Sequence, residues 1–217
     1  MRVTEPRNES MPMRARLLAP HALAVAVAAI ITFSAVQSFA ASAGPQPATT
    51  GVPAFGSEPA EGLCIQCHNS FALDPDATGA LAVEGVPAEY EPGHSYTLTV
   101  KLASTDKTVL RWGFQMTAVS MKDGAGAGEF VVTDPQKTQV ISAMTGTRSY
   151  IEHSYGGTAI GQAGGTSWSF DWKAPAASAG AIGFFAAGNT ANADGSNQGD
   201  RIYSRSPAPL AQTMPAH

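Results

Sequence analysis

Short runs of alternating apolar and polar side chains dominate the chain after residue 80. Residues 96–102 and 167–172 alternate with a period of two, which is typical of strands that bury one face. Residues 112–120 place Trp112, Phe114, Met116 and Ala118 on one face. Residues 181–187 are almost continuously apolar, as expected of a strand buried on both faces. Shorter runs of the same kind cover residues 81–86, 129–133, 138–141, 150–154 and 202–204.

Gly, Pro, Asn and Asp separate these runs, and no long helical period interrupts them. Eight or nine short strands with turns between them predict an all-β fold, an antiparallel immunoglobulin-like β-sandwich. A small closed barrel is the competing architecture, since periodicity does not separate the two.

The first forty residues read as an export signal. Four arginines lie before residue 17, an apolar run covers residues 17–33, and Ser38 and Ala40 place small residues at positions −3 and −1 of a cleavage site. An uncleaved membrane anchor is the alternative, because the apolar run is near the lower limit for spanning a bilayer. The interpretation predicts export to the periplasm or cell exterior, with no membrane span after cleavage.

The rest of the chain divides by composition. Residues 41–55 are rich in Ala, Pro, Gly and Thr and predict a flexible leader. Residues 56–205 hold the sandwich, and residues 206–217 predict a disordered tail. Nine basic and fifteen acidic side chains remain after residue 40, a net charge of −6. This acidity disfavours nucleic-acid binding, which needs a basic surface.

The two cysteines of the chain form one motif with a histidine. Cys64, Cys67 and His68 have the C-x-x-C-H spacing of covalent haem attachment. Two intervening residues let one helical turn present both sulfurs to one porphyrin edge, and the adjacent His68 can then ligate the iron. The motif predicts one covalent haem c on a short helical segment, residues 59–71, at the amino-terminal edge of the sandwich.

Other roles for this motif stay open. Cys64 and Cys67 could form a disulfide in an oxidising compartment, with His68 an ordinary loop residue. Zinc fits less well because three residues leave one of its four positions unfilled. A thioredoxin-like role lacks its βαβ context.

The sequence gives less information about the residue that would occupy the sixth coordination position of the iron. His153, at a strand end, is the first candidate, and Met116 is the second, although a core methionine is the commoner explanation. An open site is the third possibility. Residues 189–200 are rich in Asn and Asp, but they lack the closing glutamate of a calcium loop and predict a capped turn.

Several sequence blocks resemble a known family. They are residues 62–68, 90–93, 111–116, 150–153, 172–175, 187–189 and 199–200. Together they resemble the bacterial choice-of-anchor V domain, which is similar to the Reeler domain at the amino terminus of reelin. The resemblance implies an exported β-sandwich and no particular activity. A histidine at the place of His153 is typical of Reeler-like domains without the C-x-x-C-H motif, which implies a structural role for it. The chain departs from the family where it ends at His217 without an anchor, so free release is expected.

Two functions follow from these observations. The first is an exported monohaem c-type cytochrome-like module that transfers single electrons to an unidentified redox partner protein. The second is a non-catalytic adhesion or binding module stapled by a Cys64–Cys67 disulfide. No acid–base pair or nucleophile motif is evident, so no catalytic residue is assigned.

Overall fold

Two antiparallel β-sheets form the body of the molecule in the computed structural model. The structure describes residue 1 and residues 41–56, 58–177, 179–206 and 211–212. All of the predicted signal after Met1, residues 2–40, and most of the predicted tail, residues 206–217, therefore lie outside the described residues. Residues 1–37 and 38–217 divide into separate units, and the following description concerns the second.

The strands follow the predicted runs closely. Their bounds are β1 Gly79–Glu84, β2 Glu89–Tyr90, β3 Ser95–Ser104, β4 Arg111–Ser120, β5 Glu129–Val131, β6 Thr138–Ser142, β7 Ser149–His153, β8 Gly165–Lys173, β9 Ile182–Ala191, β10 Arg201–Arg205 and β11 Ala211–Gln212. The first sheet has the order β1-β3-β8-β5, the second has the order β10-β9-β4-β7-β6, and β11 pairs with β2 in parallel. The two larger sheets are separate, so the predicted sandwich is confirmed.

Alternation places the apolar side chains of both sheets in one core. In β3, Leu98, Val100 and Leu102 are buried while the residues between them are partly or fully exposed. Phe114 of β4 packs across the core on Trp168 and Phe170 of β8, with ring centroids 4.6 and 6.1 Å apart. Such aromatic pairs add to the stabilisation from buried area.

The second sheet is also covered on its outer face. Residues Arg111–Ser120 are buried at nine of ten positions, although Gln115, Thr117 and Val119 alternate with the core residues. The segment predicted to be a flexible leader provides the cover: Thr50 and Val52 are buried, and Val52 packs on Val119 and Phe185. This differs from the expectation because the Ala- and Pro-rich composition does not reveal tertiary contacts.

Hydrogen bonds hold this covering segment in place. Gln115 Nε2 donates to the carbonyl of Gln46 at 3.0 Å, and its Oε1 accepts from Thr49 N–H at 3.0 Å. Gly51 N–H donates to the carbonyl of Gly62 at 2.9 Å, which ties the leader to the segment before the cysteine motif. The polar outer face of β4 is thus satisfied by backbone groups of the leader.

Candidate functional site

The cysteine motif lies at the edge of a cavity of about 330 Å³ with mostly apolar walls. The leader forms one wall, the ends of β4 and β9 form another, and the motif closes the side between them. Its lining includes Ala41, Ser42, Thr49, Leu63, Cys64, Cys67, His68, Arg111, Gly113, Phe114, His153, Asn189 and Asp200. The structure therefore brings His153 to the same cavity as the motif residues Cys64, Cys67 and His68, although it lies 85 residues after His68 in the sequence.

A short turn sets the spacing of the motif. Only Cys64–Gln66 forms a 3₁₀ turn, with the His68 N–H donating to the carbonyl of Cys64 at 3.0 Å. The longer helical segment expected over residues 59–71 is absent from the described residues, because Glu61 and Gly62 are extended against the leader instead. One turn is enough to put both thiols and the imidazole on the same side of the chain.

Both cysteines are free thiols in the structure. Cys64 is half-buried, and its Sγ lies 3.8 Å from the carbonyl of Thr49. Removal from water raises the pKa of its thiol to about 11. Cys67 is exposed at the rim, where Asn197 Nδ2 donates to its carbonyl at 2.7 Å. The motif thus has one inner and one outer sulfur.

A buried carboxylate fixes the ring of His68. Nδ1 of His68 lies 2.7 Å from Oδ2 of Asp200, whose side chain has no exposed surface. The other carboxylate oxygen of Asp200 accepts from the Asn192 N–H at 3.2 Å. A carboxylate can only accept, so Nδ1 is the donor, and in the tautomer that this contact selects the lone pair is on Nε2. Among the described residues, none forms a hydrogen bond to that Nε2.

Asn189 stands beside this pair. Its Nδ2 lies 3.3 Å from His68 Nδ1 and 3.4 Å from Asp200 Oδ2. Its Oδ1 is buried without a hydrogen-bond partner in the described part of the chain. An unsatisfied buried polar atom is costly, which is typical of a site that awaits a ligand or water.

His153 lines the same cavity and is almost fully buried. Its Nδ1 lies 3.1 Å from the Phe114 N–H and 3.2 Å from the Phe114 carbonyl oxygen, and the ring also contacts the backbone of Ala41. Burial lowers the pKa of His153, so the ring stays neutral. Gly113 leaves room for the ring, because a Cβ added there would lie 2.8 Å from its Cε1. Backbone groups thus engage this histidine.

Met116 lies away from the cavity. It is fully buried in the core between the sheets, on the same face of β4 as Trp112 and Phe114. The structure therefore does not bring the second candidate for the sixth position to the cavity. The physical reason is the alternation of β4, which places the Met116 side chain on the face that packs in the core.

A second polar cluster attaches the motif segment to the sheet. Glu61 Oε1 accepts from Arg148 Nη1 and from the Tyr150 hydroxyl, both at 2.8 Å, and its Oε2 accepts from the Thr50 hydroxyl at 2.5 Å. The Glu61 and Arg148 side chains are 3% and 7% exposed. This ion pair fixes the chain three residues before Cys64.

Sequence reasoning missed Asp200, Asn189 and Glu61. Asp200 is 132 residues from His68, and its local sequence is that of an ordinary polar turn. Of the predicted turn over residues 189–200, residues 192–200 connect β9 to β10, while residues 189–191 form the end of β9. Among the residues that the structure describes, no group of three or more His, Cys, Asp or Glu side chains is placed to hold a metal ion alone.

No described segment forms a helix of the length and apolarity that crossing a bilayer requires. No protein-family model and no curated protein matches the chain.

Solved structures similar to this chain include reeler domains of F-spondin. A human F-spondin reeler domain is 24% identical, covers 63% of this chain and 90% of its own, and gives a TM-score of 0.41. A structure of the Reelin-N domain of F-spondin is 19% identical, with 80% of this chain and 99% of that chain covered and a TM-score of 0.40. AvmM, described as catalysing macrocyclisation in alchivemycin A biosynthesis, is 14% identical over 68% of this chain and 94% of its own, with a TM-score of 0.43.

Proposed function

We propose that this protein is an exported monohaem c-type cytochrome-like module that carries single electrons. Cys64 and Cys67 would hold the haem, and His68 would be the proximal iron ligand. One observation carries the proposal: a fully buried Asp200 holds Nδ1 of His68, and the ring lines the same cavity as two free thiols. Metal-ligating histidines characteristically donate their other ring N–H to such a carboxylate.

The attachment chemistry balances without a further reactant. Each thiol would join to one vinyl group of the haem by addition across its double bond: the sulfur would bond to one carbon, and the thiol hydrogen would go to the other. No atom would leave, and no net oxidant or reductant would be consumed. Cys64 would hold the haem from the inner side of the cavity and Cys67 from the exposed side.

The cavity has the character that such a group needs. Its volume of about 330 Å³ is at the lower end of the range for small-molecule sites, so part of a porphyrin would remain outside. Apolar walls suit the macrocycle, and Arg111 at the cavity provides a cation for a propionate. Bound haem would supply an iron that alternates between ferric and ferrous states, and an exposed edge suits one-electron exchange with a partner protein.

The roles of the chain's own residues follow from their contacts. The Asp200 carboxylate makes the His68 ring a more basic ligand and fixes its orientation. The leader excludes water from the inner side of the cavity, where Thr49 contacts Cys64. We infer that the module works outside the cytoplasm, since the first forty residues have the export pattern.

Haem staining after denaturing electrophoresis tests the proposal, because only a thioether-linked cofactor survives. Protein matured in a host competent for cytochrome c assembly should stain, and the double variant C64S/C67S should not. His94→Ala is the matched control for His68→Ala, because His94 lies on a turn outside the cavity. An unstained wild-type band whose mass is two hydrogens below that of the reduced chain would instead indicate the disulfide-stapled binding module.

A further inference from the structure

We propose that removal of the signal peptide creates the second axial ligand of the haem, the α-amino group of Ala41. This inference rests on the proposed function. It joins two observations: the predicted cleavage site lies between Ala40 and Ala41, and Ala41 lines the cavity that contains Cys64 and His68.

The leader holds Ala41 at this place by several contacts. The Gly44 N–H donates to the carbonyl of Ala41 at 3.1 Å, which closes a tight turn. Arg111 Nη1 donates to the Ser42 hydroxyl at 2.8 Å, and Gln139 Nε2 donates to the carbonyl of Ala43 at 2.6 Å. Two successive residues, Ser42 and Ala43, are thus bonded to the sheet, and the turn to Gly44 ties Ala41 to them.

His153 lies beside Ala41 and contacts its backbone. Nδ1 of the ring lies 3.1 Å from the Phe114 N–H and 3.2 Å from the Phe114 carbonyl oxygen, so the sheet fixes the position of the ring. The contact with the Ala41 backbone helps to hold Ala41 at the cavity, so His153 is a positioning residue in this proposal.

Cleavage changes the chemistry of one nitrogen atom. In the precursor the nitrogen of Ala41 belongs to a peptide bond, and resonance with the carbonyl makes its lone pair unavailable. Hydrolysis consumes one water, leaves a carboxylate on Ala40 and leaves a primary amine on Ala41. The unprotonated amine is a nitrogen donor comparable to an imidazole. It is the same atom as the former peptide nitrogen, and cleavage removes only the residues before it.

An insertion tests the ligand directly. One glycine placed between Ala40 and Ala41 leaves Ser38 and Ala40 at the cleavage site but moves the amine by one residue, about 3.8 Å of chain. We expect the wild-type mature protein to show the absorption and electron paramagnetic resonance spectra of low-spin haem with two nitrogen ligands. The insertion variant should lose that spectrum, become high-spin and bind carbon monoxide in the ferrous state. Intact mass must show that the wild-type chain begins at Ala41.

Two controls separate the alternatives. The same glycine inserted between Thr145 and Gly146, in an exposed turn away from the cavity, should leave the low-spin spectrum intact. His153→Gln retains an amide that can donate to the Ala41 carbonyl, so the low-spin form should be weakened but present.

Each result that would contradict the inference has a different meaning. A high-spin wild-type protein would indicate an open site and would overturn the inference, as would a low-spin spectrum that survives the insertion between Ala40 and Ala41. A low-spin spectrum that His153→Gln abolishes and the insertion leaves unchanged would assign the ligand to His153. A mature chain that begins elsewhere also overturns it. Absence of covalent haem in all variants would instead overturn the proposed function on which it rests.

Discussion

At the scale of single residues, Asp200 determines which nitrogen of His68 can serve as a ligand. Sequence reasoning found Cys64, Cys67 and His68 because their chemistry needs a fixed local spacing. It could not find Asp200, because that contact depends on the loop between β9 and β10 returning to the motif. Met116 shows the opposite case: its residue type suits iron, but the alternation of β4 commits it to the core.

The variant Asp200→Asn should reverse the tautomer of His68. An amide NH₂ placed at the position of Oδ2 would donate to Nδ1, so the ring proton would move to Nε2 and block the ligand position. We expect haem affinity of the apoprotein to fall about 10- to 100-fold, the usual effect of losing such a partner. Haem titration followed by absorption measures it, with nitrogen NMR of the ring as a direct check of the tautomer.

Asp194→Asn is the matched control, because Asp194 lies in the same loop but is exposed and bonds only within it. It should bind haem as the wild type does. Equal haem affinity in Asp200→Asn and wild type would contradict the assigned role of the His68–Asp200 pair.

At the scale of elements, the segment before the motif depends on Glu61. Arg148, Tyr150 and Thr50 all donate to this one carboxylate, and the pair with Arg148 is buried. Glu61→Ala should lower the free energy of unfolding by about 3–5 kcal/mol, because it leaves a buried guanidinium without its partner. Chemical denaturation measures this change.

The exposed pair between Lys101 and Glu84 provides the comparison. Its nitrogen and oxygen are 2.7 Å apart, but both side chains are about half exposed. Glu84→Ala should therefore cost no more than about 1 kcal/mol. Equal costs for the two substitutions would show that Glu61 does not anchor the segment.

The turn of the leader supplies a second element-scale prediction. Gly44 has a φ of +125°, and a Cβ added there would lie 2.1 Å from Oε1 of Glu152. Gly44→Ala should lower the melting temperature by more than Gly164→Ala, whose φ is +88° with nothing within 4 Å of the added Cβ. Both carry the backbone strain of about 1–3 kcal/mol, so the difference isolates the collision. Thermal unfolding followed by circular dichroism compares them, and equal shifts would exclude close packing of the turn.

At the scale of the whole molecule, the sandwich has a third, partial layer formed by the leader and motif segment. The strands themselves were predictable, because the alternation of apolar and polar residues along the sequence shows which face of each strand is buried. The third layer was not, because proline- and alanine-rich stretches have no period. A hint was present in β4 and β9, whose polar and small residues on the outer face are buried as completely as the core.

Hydrogen exchange should detect this layer. Peptides covering residues 46–52 should exchange as slowly as those from the middle of β4, since the Thr49 and Gly51 N–H groups are bonded to Gln115 and Gly62. Mass spectrometry of the exchanged mature protein gives the comparison. Complete exchange of residues 46–52 at the earliest time point would mean that the leader is not packed in solution.

The half-buried position of Cys64 under Thr49 has a consequence for the order of biogenesis. A ligation enzyme needs both thiols accessible, and the closed leader restricts access to the inner one. In the proposed function, the chain would be exported from its amino terminus, and His68 would emerge 132 residues before Asp200, its partner in the folded protein. The haem would then be attached before the chain folds. The later folding of the β9–β10 connection would bring Asp200 to His68 and fix the orientation of the ring.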